Sequence, residues 1–294
     1  MEIRNVQRTG NMFYLYLPTS WCKQYGITSD SKVSLSRDNA GNLIIAPKVV
    51  EQKKRVKEFD LAENDLQIVH KVLMACYVNP LYQFKINLKK ELDFSKLLQQ
   101  KRLISIETIE IDKKQISSDG NVQVENPTSL LKTMIRKTKN LLYIMMNNYE
   151  PELMGRYEEE IDRSKILIDK SMISALAEPH LSKMKAINLY YISMVSRNIE
   201  RLVDHLLHLK KEDSSFLHAI AQRIEKLKDI MEGIESEHTL TYEKAVEFIK
   251  SVLAIKQVKV SDLETYDKQR IRQYLIGISE VLIDWAITKE IDLS

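Results

Sequence analysis

The stretch Asn198-Ile199-Glu200-Arg201-Leu202-Val203-Asp204-His205 sets Glu200 and Asp204 four residues apart. On a helix that spacing puts both carboxylates on one face, a turn apart, where they repel each other by a few tenths of a kcal/mol unless a cation or a nearby Arg intervenes. The same spacing recurs as Glu158/Asp162, Glu243/Glu247 and Glu280/Asp284. Oxygen ligands alone favour Mg, Ca, Mn or Fe over zinc, and His205, next to Asp204, would add a nitrogen ligand. The expected cofactor is therefore a divalent or ferric ion (Mg, Fe, Mn or Zn), with Glu200 and Asp204 the best-supported pair.

Other chemistry finds little support. GxSxG, HExxH, GxGxxG and GxxxxGK[ST] are all missing, and the six histidines include no pair at i, i+4 spacing, so the chain is not expected to be an enzyme. His205 and His208, three apart, read as partly buried, hydrogen-bonded side chains. Cys22 and Cys76 lie far apart without a CxxC or paired Cys/His pattern, and read as small apolar side chains. No apolar run reaches the roughly 18 residues of a membrane span, and the first residues do not read as a signal peptide. A cytoplasmic protein without membrane insertion is the expectation.

The net charge of +3 is unevenly placed. Residues 1–57 carry ten Lys/Arg against four Asp/Glu, a net of +6, which leaves the remaining residues at −3. A basic segment ahead of a slightly acidic body calls for an anionic partner, DNA first among them.

Three regions must position these residues. Residues 1–50 read as short strands, Ile3–Arg8, Met12–Leu17, Lys32–Arg37 and Asn42–Ala46, with a short helical segment between Pro18 and Gly26. So small a unit holds little core and needs a partner chain. Residues 51–125 read as strand, helix, strand, helix, strand, strand over Arg55–Leu61, Asn64–Cys76, Leu81–Leu88, Phe94–Arg102, Leu103–Ile111 and Gln115–Val124, a small α/β domain similar to the ferredoxin-like fold. From Asn126 to the last residue, 294, the 3.6-residue period takes over, opened by the Asn126-Pro127 cap. Breaks at Glu150-Pro151, Glu178-Pro179, Ser214, His238-Thr239 and between residues 257 and 262 divide it into six helices. They read as two successive three-helix repeats, about 126–212 and 213–294.

Two resemblances follow. Arg4-Asn5-Val6-Gln7-Arg8-Thr9-Gly10 through Tyr14-Leu15-Tyr16-Leu17-Pro18-Thr19-Ser20-Trp21, then Tyr25-Gly26-Ile27, Val33-Ser34-Leu35 and Leu43-Ile44-Ile45-Ala46-Pro47, resembles the AbrB/SpoVT family over about 45 residues. The resemblance implies a swapped-hairpin β-barrel interleaved from two chains, with a DNA face that maps to Arg4, Arg8, Lys23 and Arg37. Residues 126–291, through Arg197-Asn198-Ile199-Glu200-Arg201-Leu202-Val203-Asp204-His205, resemble the PhoU family, whose Glu-x-x-x-Asp motifs bind metal clusters. Asn198 stands where that family has aspartate, and Glu247 where aspartate is usual.

Together the two resemblances imply an α+β multidomain chain similar to archaeal phosphate-uptake regulators. Its expected function is transcriptional regulation of phosphate uptake, as a homodimer or higher homo-oligomer on DNA, with the helical half sensing metal, phosphate or a partner. The alternative is a PhoU-type signalling adaptor that binds a phosphate transporter ATPase or a kinase, with the N-terminal unit serving only dimerisation.

Overall fold

The computed structural model describes residues 3–37, 41–47, 55–63, 65–79, 82–91, 109–112, 114–118, 126–177, 182, 184–209, 214–234 and 240–293. The chain divides into two compact units, Met1–Lys53 and Lys54–Ser294. The first will be called the head and the second the body. The architecture is mixed α+β and mostly helical.

In the head, β1 (Gln7–Thr9) and β2 (Met12–Tyr14) form one antiparallel hairpin, and β3 (Ser34–Arg37) and β4 (Leu43–Ala46) form another. Thr9 pairs with Met12, so Gly10-Asn11 is a two-residue turn; Gly10 has φ +62°, which such a tight hairpin assigns to glycine at its first position. The short helix α1 (Thr19–Gln24) stops at Gly26, also at φ +62°. There the Gly26 N–H donates to Lys23 O (3.3 Å) and the Ile27 N–H to Cys22 O (2.9 Å), closing the helix end. The two hairpins are separate sheets, and no barrel is closed within the single chain among the described residues. No head residue whose exposure is described is buried.

The body begins with β5 (Arg55–Leu61), α2 (Leu66–Val78) and β6 (Tyr82–Leu88). Asp65 caps α2, accepting from the Gln67 N–H at 2.7 Å. β5 and β6 pair directly in parallel. β8 (Gln115–Ser118) then pairs antiparallel with β6, and β7 (Ile109–Asp112) with β8. The sheet order is β5-β6-β8-β7.

This order corrects the ferredoxin-like expectation. That fold splits its βαβ unit, inserting a strand between the two parallel ones, whereas here α2 connects immediate neighbours. The core explains the arrangement: Val69, Leu73 and Tyr77, one turn apart on α2, meet Phe84, Ile86 and Leu88, which alternate on β6, together with Ile116 of β8. The expected helix at Phe94–Arg102 and the ends of the strands expected at Leu103–Ile111 and Gln115–Val124 lie outside the described residues.

Among the described residues six helices follow: α3 (Pro127–Asn147), α4 (Pro151–Ala177), α5 (Ala186–Leu206), α6 (Ser214–Glu232), α7 (Tyr242–Leu253) and α8 (Leu263–Leu293). Asn126 caps α3 by accepting from the Thr128 N–H at 2.9 Å, with Pro127 at the first helical position. α3, α4 and α5 pack on one another; α7 packs on α6 and α8; α5 against α8 and α3 against α6 join the two sets. One core runs through all six helices, including Leu131, Leu141, Val195, Leu202, Ile224 and Leu275. Trp285 Nε1 donates to Asn188 Oδ1 (3.0 Å) and the Tyr191 hydroxyl bonds Thr288 Oγ1 (2.7 Å), tying α8 to α5.

No helix among the described residues is long and apolar enough to cross a membrane.

Candidate functional site

The α4–α5 contact gathers carboxylates. Ile161 and Ile168, two turns apart, turn one stripe of α4 into the core, and Asp162 beside Ile161 is carried inward to 5% exposure. Ile199, Leu202, Val203 and Leu206 bury the opposing stripe of α5, which leaves Glu200 and Asp204 half-buried at its edge. One carboxylate oxygen from each of Asp162, Glu200 and Asp204 lies within 4.8 Å of the other two. Three carboxylates at that separation repel in the low dielectric between helices, and a hard cation with oxygen preference relieves the repulsion.

The local i, i+4 rule pairs Asp162 with Glu158, but tertiary packing carries Asp162 across to α5. Glu158 is half-buried on α4 and belongs to no such group among the described residues. Glu280 and Asp284 on α8 are exposed, as are Glu243 and Glu247 on α7. Glu247 pairs with Lys226 of α6 at 3.2 Å. Glu243 sits in the first turn of α7, where bonds from its own backbone N–H and the Thr241 hydroxyl hold its carboxyl below the usual range. The pair on α5 thus gains a third acid from α4, whereas the expected pairs Glu243/Glu247 and Glu280/Asp284 stay exposed on α7 and α8.

His205 is turned away from the Glu200/Asp204 edge. Its Nδ1 lies 2.6 Å from Asp267 Oδ1, one turn into α8, and His208 Nδ1 lies 3.4 Å from the same oxygen. Asp267 is 7% exposed. Sequence reasoning missed it, although a signal existed: Asp267 falls four residues before Ile271, in phase with the buried Ile271, Tyr274, Ile278, Leu282 and Trp285.

In the head, Arg4, Arg8, Lys23 and Arg37 are all exposed. Arg8 Nε donates to Gly10 O at 2.9 Å and its guanidinium stands 5.7 Å from the Phe13 ring, so this residue also braces the first hairpin. Around them lie apolar side chains in the open: Phe13 is 70% exposed, Leu35 62% and Ile3 81%.

Both cysteines are free and half-buried. Cys76 lines a largely apolar cavity of about 290 Å³ with Phe59, Val72, Ala75, Asn79 and Phe84, and burial pushes its thiol above the ordinary value. That is the profile of a packing thiol.

No protein-family model, no curated protein and no solved structure matches the chain.

Proposed function

We propose that the chain is a DNA-binding transcriptional regulator that works as a homodimer or higher homo-oligomer. The head binds DNA and the body senses a metal ion, phosphate or a partner protein; the resemblances named above make phosphate uptake in the cytoplasm the regulated process. The observation that carries this reading is the head itself. Its exposed Ile3, Val6, Met12, Phe13 and Leu35 stand beside exposed Arg4, Arg8, Lys23 and Arg37. Exposed apolar side chains on a unit without a buried residue among those described call for a second surface, and an interleaved second head supplies one. The basic side chains, doubled by that pairing, then offer a phosphate-binding face.

The acid group of Asp162, Glu200 and Asp204 supports the sensor role, because a hard ion there would bridge α4 and α5. The test is a salt titration of DNA binding. Affinity should fall steeply with ionic strength. Lys23→Ala and Arg37→Ala should each reduce the logarithmic salt slope by roughly one for every phosphate left without its cation, and by roughly two in a dimer. Affinity insensitive to salt, or unchanged in both variants, refutes the reading. Lys23 and Arg37 are cleaner probes than Arg8, whose loss also unbraces the hairpin.

A further inference from the structure

Asp267 is a buried carboxylate whose hydrogen-bond partners among the described residues are two imidazoles, His205 and His208, both meeting it through Nδ1 on the same oxygen. A buried carboxylate at neutral pH is stable only against a cation or a full set of donors. Lys268 is turned to Glu264 at 2.6 Å, and Arg270 lies on the Tyr274 ring and bonds its hydroxyl. Neither supplies the charge at Asp267.

The imidazoles are not loosely placed. His205 stacks on Tyr274 with centroids 5.7 Å apart, meets the Tyr266 ring edge-on at 5.9 Å, and meets His208 edge-on at 6.1 Å. The His208 side chain is 63% exposed, so one side of the cluster opens to solvent.

We propose that His205, His208 and Asp267 form a zinc-class transition-metal site, distinct from the oxygen-only group of Asp162, Glu200 and Asp204. One ligand atom from each of the three residues lies within 4.8 Å of the other two. Tetrahedral zinc with bonds of about 2.0–2.1 Å places its ligand atoms about 3.3 Å apart. The His208–Asp267 separation of 3.4 Å already matches that edge; the His205–Asp267 separation of 2.6 Å opens by somewhat under 1 Å to admit the ion. Two nitrogens and one carboxylate oxygen select zinc, cobalt or nickel over Mg or Ca, the opposite preference to the all-carboxylate group. The open side leaves a fourth position for water.

The ion would join the end of α5 to the first turns of α8, one helix from each repeat. It is coordinated by protein groups on both sides, so its binding stabilises the packing of the two repeats. The inference does not rest on the DNA-binding reading.

The experiment is a Co(II) titration of tag-free, full-length, metal-stripped protein, followed by visible absorption. One equivalent should produce the intense band of four-coordinate cobalt, bleached by zinc. His208→Ala, at an exposed position that leaves the helices intact by circular dichroism, should weaken binding at least roughly tenfold. Glu200→Ala should retain the band. In parallel, zinc should raise the melting temperature of the parent protein and not of His208→Ala. Absence of the band, a His208→Ala titration equal to the parent's, or loss of the band in Glu200→Ala overturns the assignment and leaves the cluster a hydrogen-bonded clamp.

Discussion

Lys170 Nζ stands 4.0 Å above the ring of Tyr77, so a charged side chain of α4 rests on α2 of the sheet layer. Lys170 is 3% exposed, and burial pushes its pKa down from 10.5 to about 8. The folded chain thus releases this proton at lower pH than the unfolded chain, and stability rises as pH climbs from about 8 towards 10.5. Below pH 8 both states hold the proton and the cost of the buried charge is fully present. Chemical denaturation across that range should show a gain on the order of 2–3 kcal/mol from this group. Lys170→Met keeps the stem and removes the charge; it should stabilise the protein by about 1–3 kcal/mol at pH 7 and flatten the rise.

Where α5 and α8 approach, Gly277 leaves room for Asn198. A Cβ at 277 would come within 3.2 Å of Asn198 Oδ1, and Asn198 is held by its own bond from Nδ2 to Met194 O (3.0 Å). Gly277→Ala should be close to neutral, because the gain in helix propensity of up to about 1 kcal/mol offsets the displacement of Asn198. Gly277→Leu has no such room and should cost about 1–3 kcal/mol in the same measurement.

Manganese or magnesium should raise the melting temperature of the chelator-treated protein through the Asp162, Glu200 and Asp204 group. Glu200→Ala should lose most of that rise, while Glu280→Ala, at an exposed position, should keep it. An equal response in the two variants would remove the acid group from consideration.

The head offers a direct measure of self-association. Phe13→Glu puts a charge where an apolar side chain is 70% exposed in one chain. Sedimentation should show the parent as a dimer or larger and the variant shifted at least tenfold towards monomer, about 1.4 kcal/mol. A monomeric parent would contradict the interleaved head.

The helical body was legible because each helix carries its own evidence: an apolar stripe at 3.6-residue spacing, and caps such as Asn126 and Thr241 that bond the first-turn N–H groups. The acid site was legible only in part. Glu200 and Asp204 share a face by local geometry, but the third member comes from α4, and no spacing rule reports which helix packs on which. The sheet order was not legible for the same reason, since alternation identifies a strand and not its neighbours. Lys170 was invisible as a buried residue because its charge argues for solvent, while its long stem permits a seat on Tyr77.

The contrast between the two compact units predicts where the chain is vulnerable. Among the described residues the head has none fully buried, and such a unit opens at little cost, whereas α3 to α8 surround a continuous interior. A protease acting on isolated chains should therefore trim the head and spare the helices. Under the proposed pairing of heads, protection of the head would serve as a clock for assembly, appearing only as fast as partner chains meet.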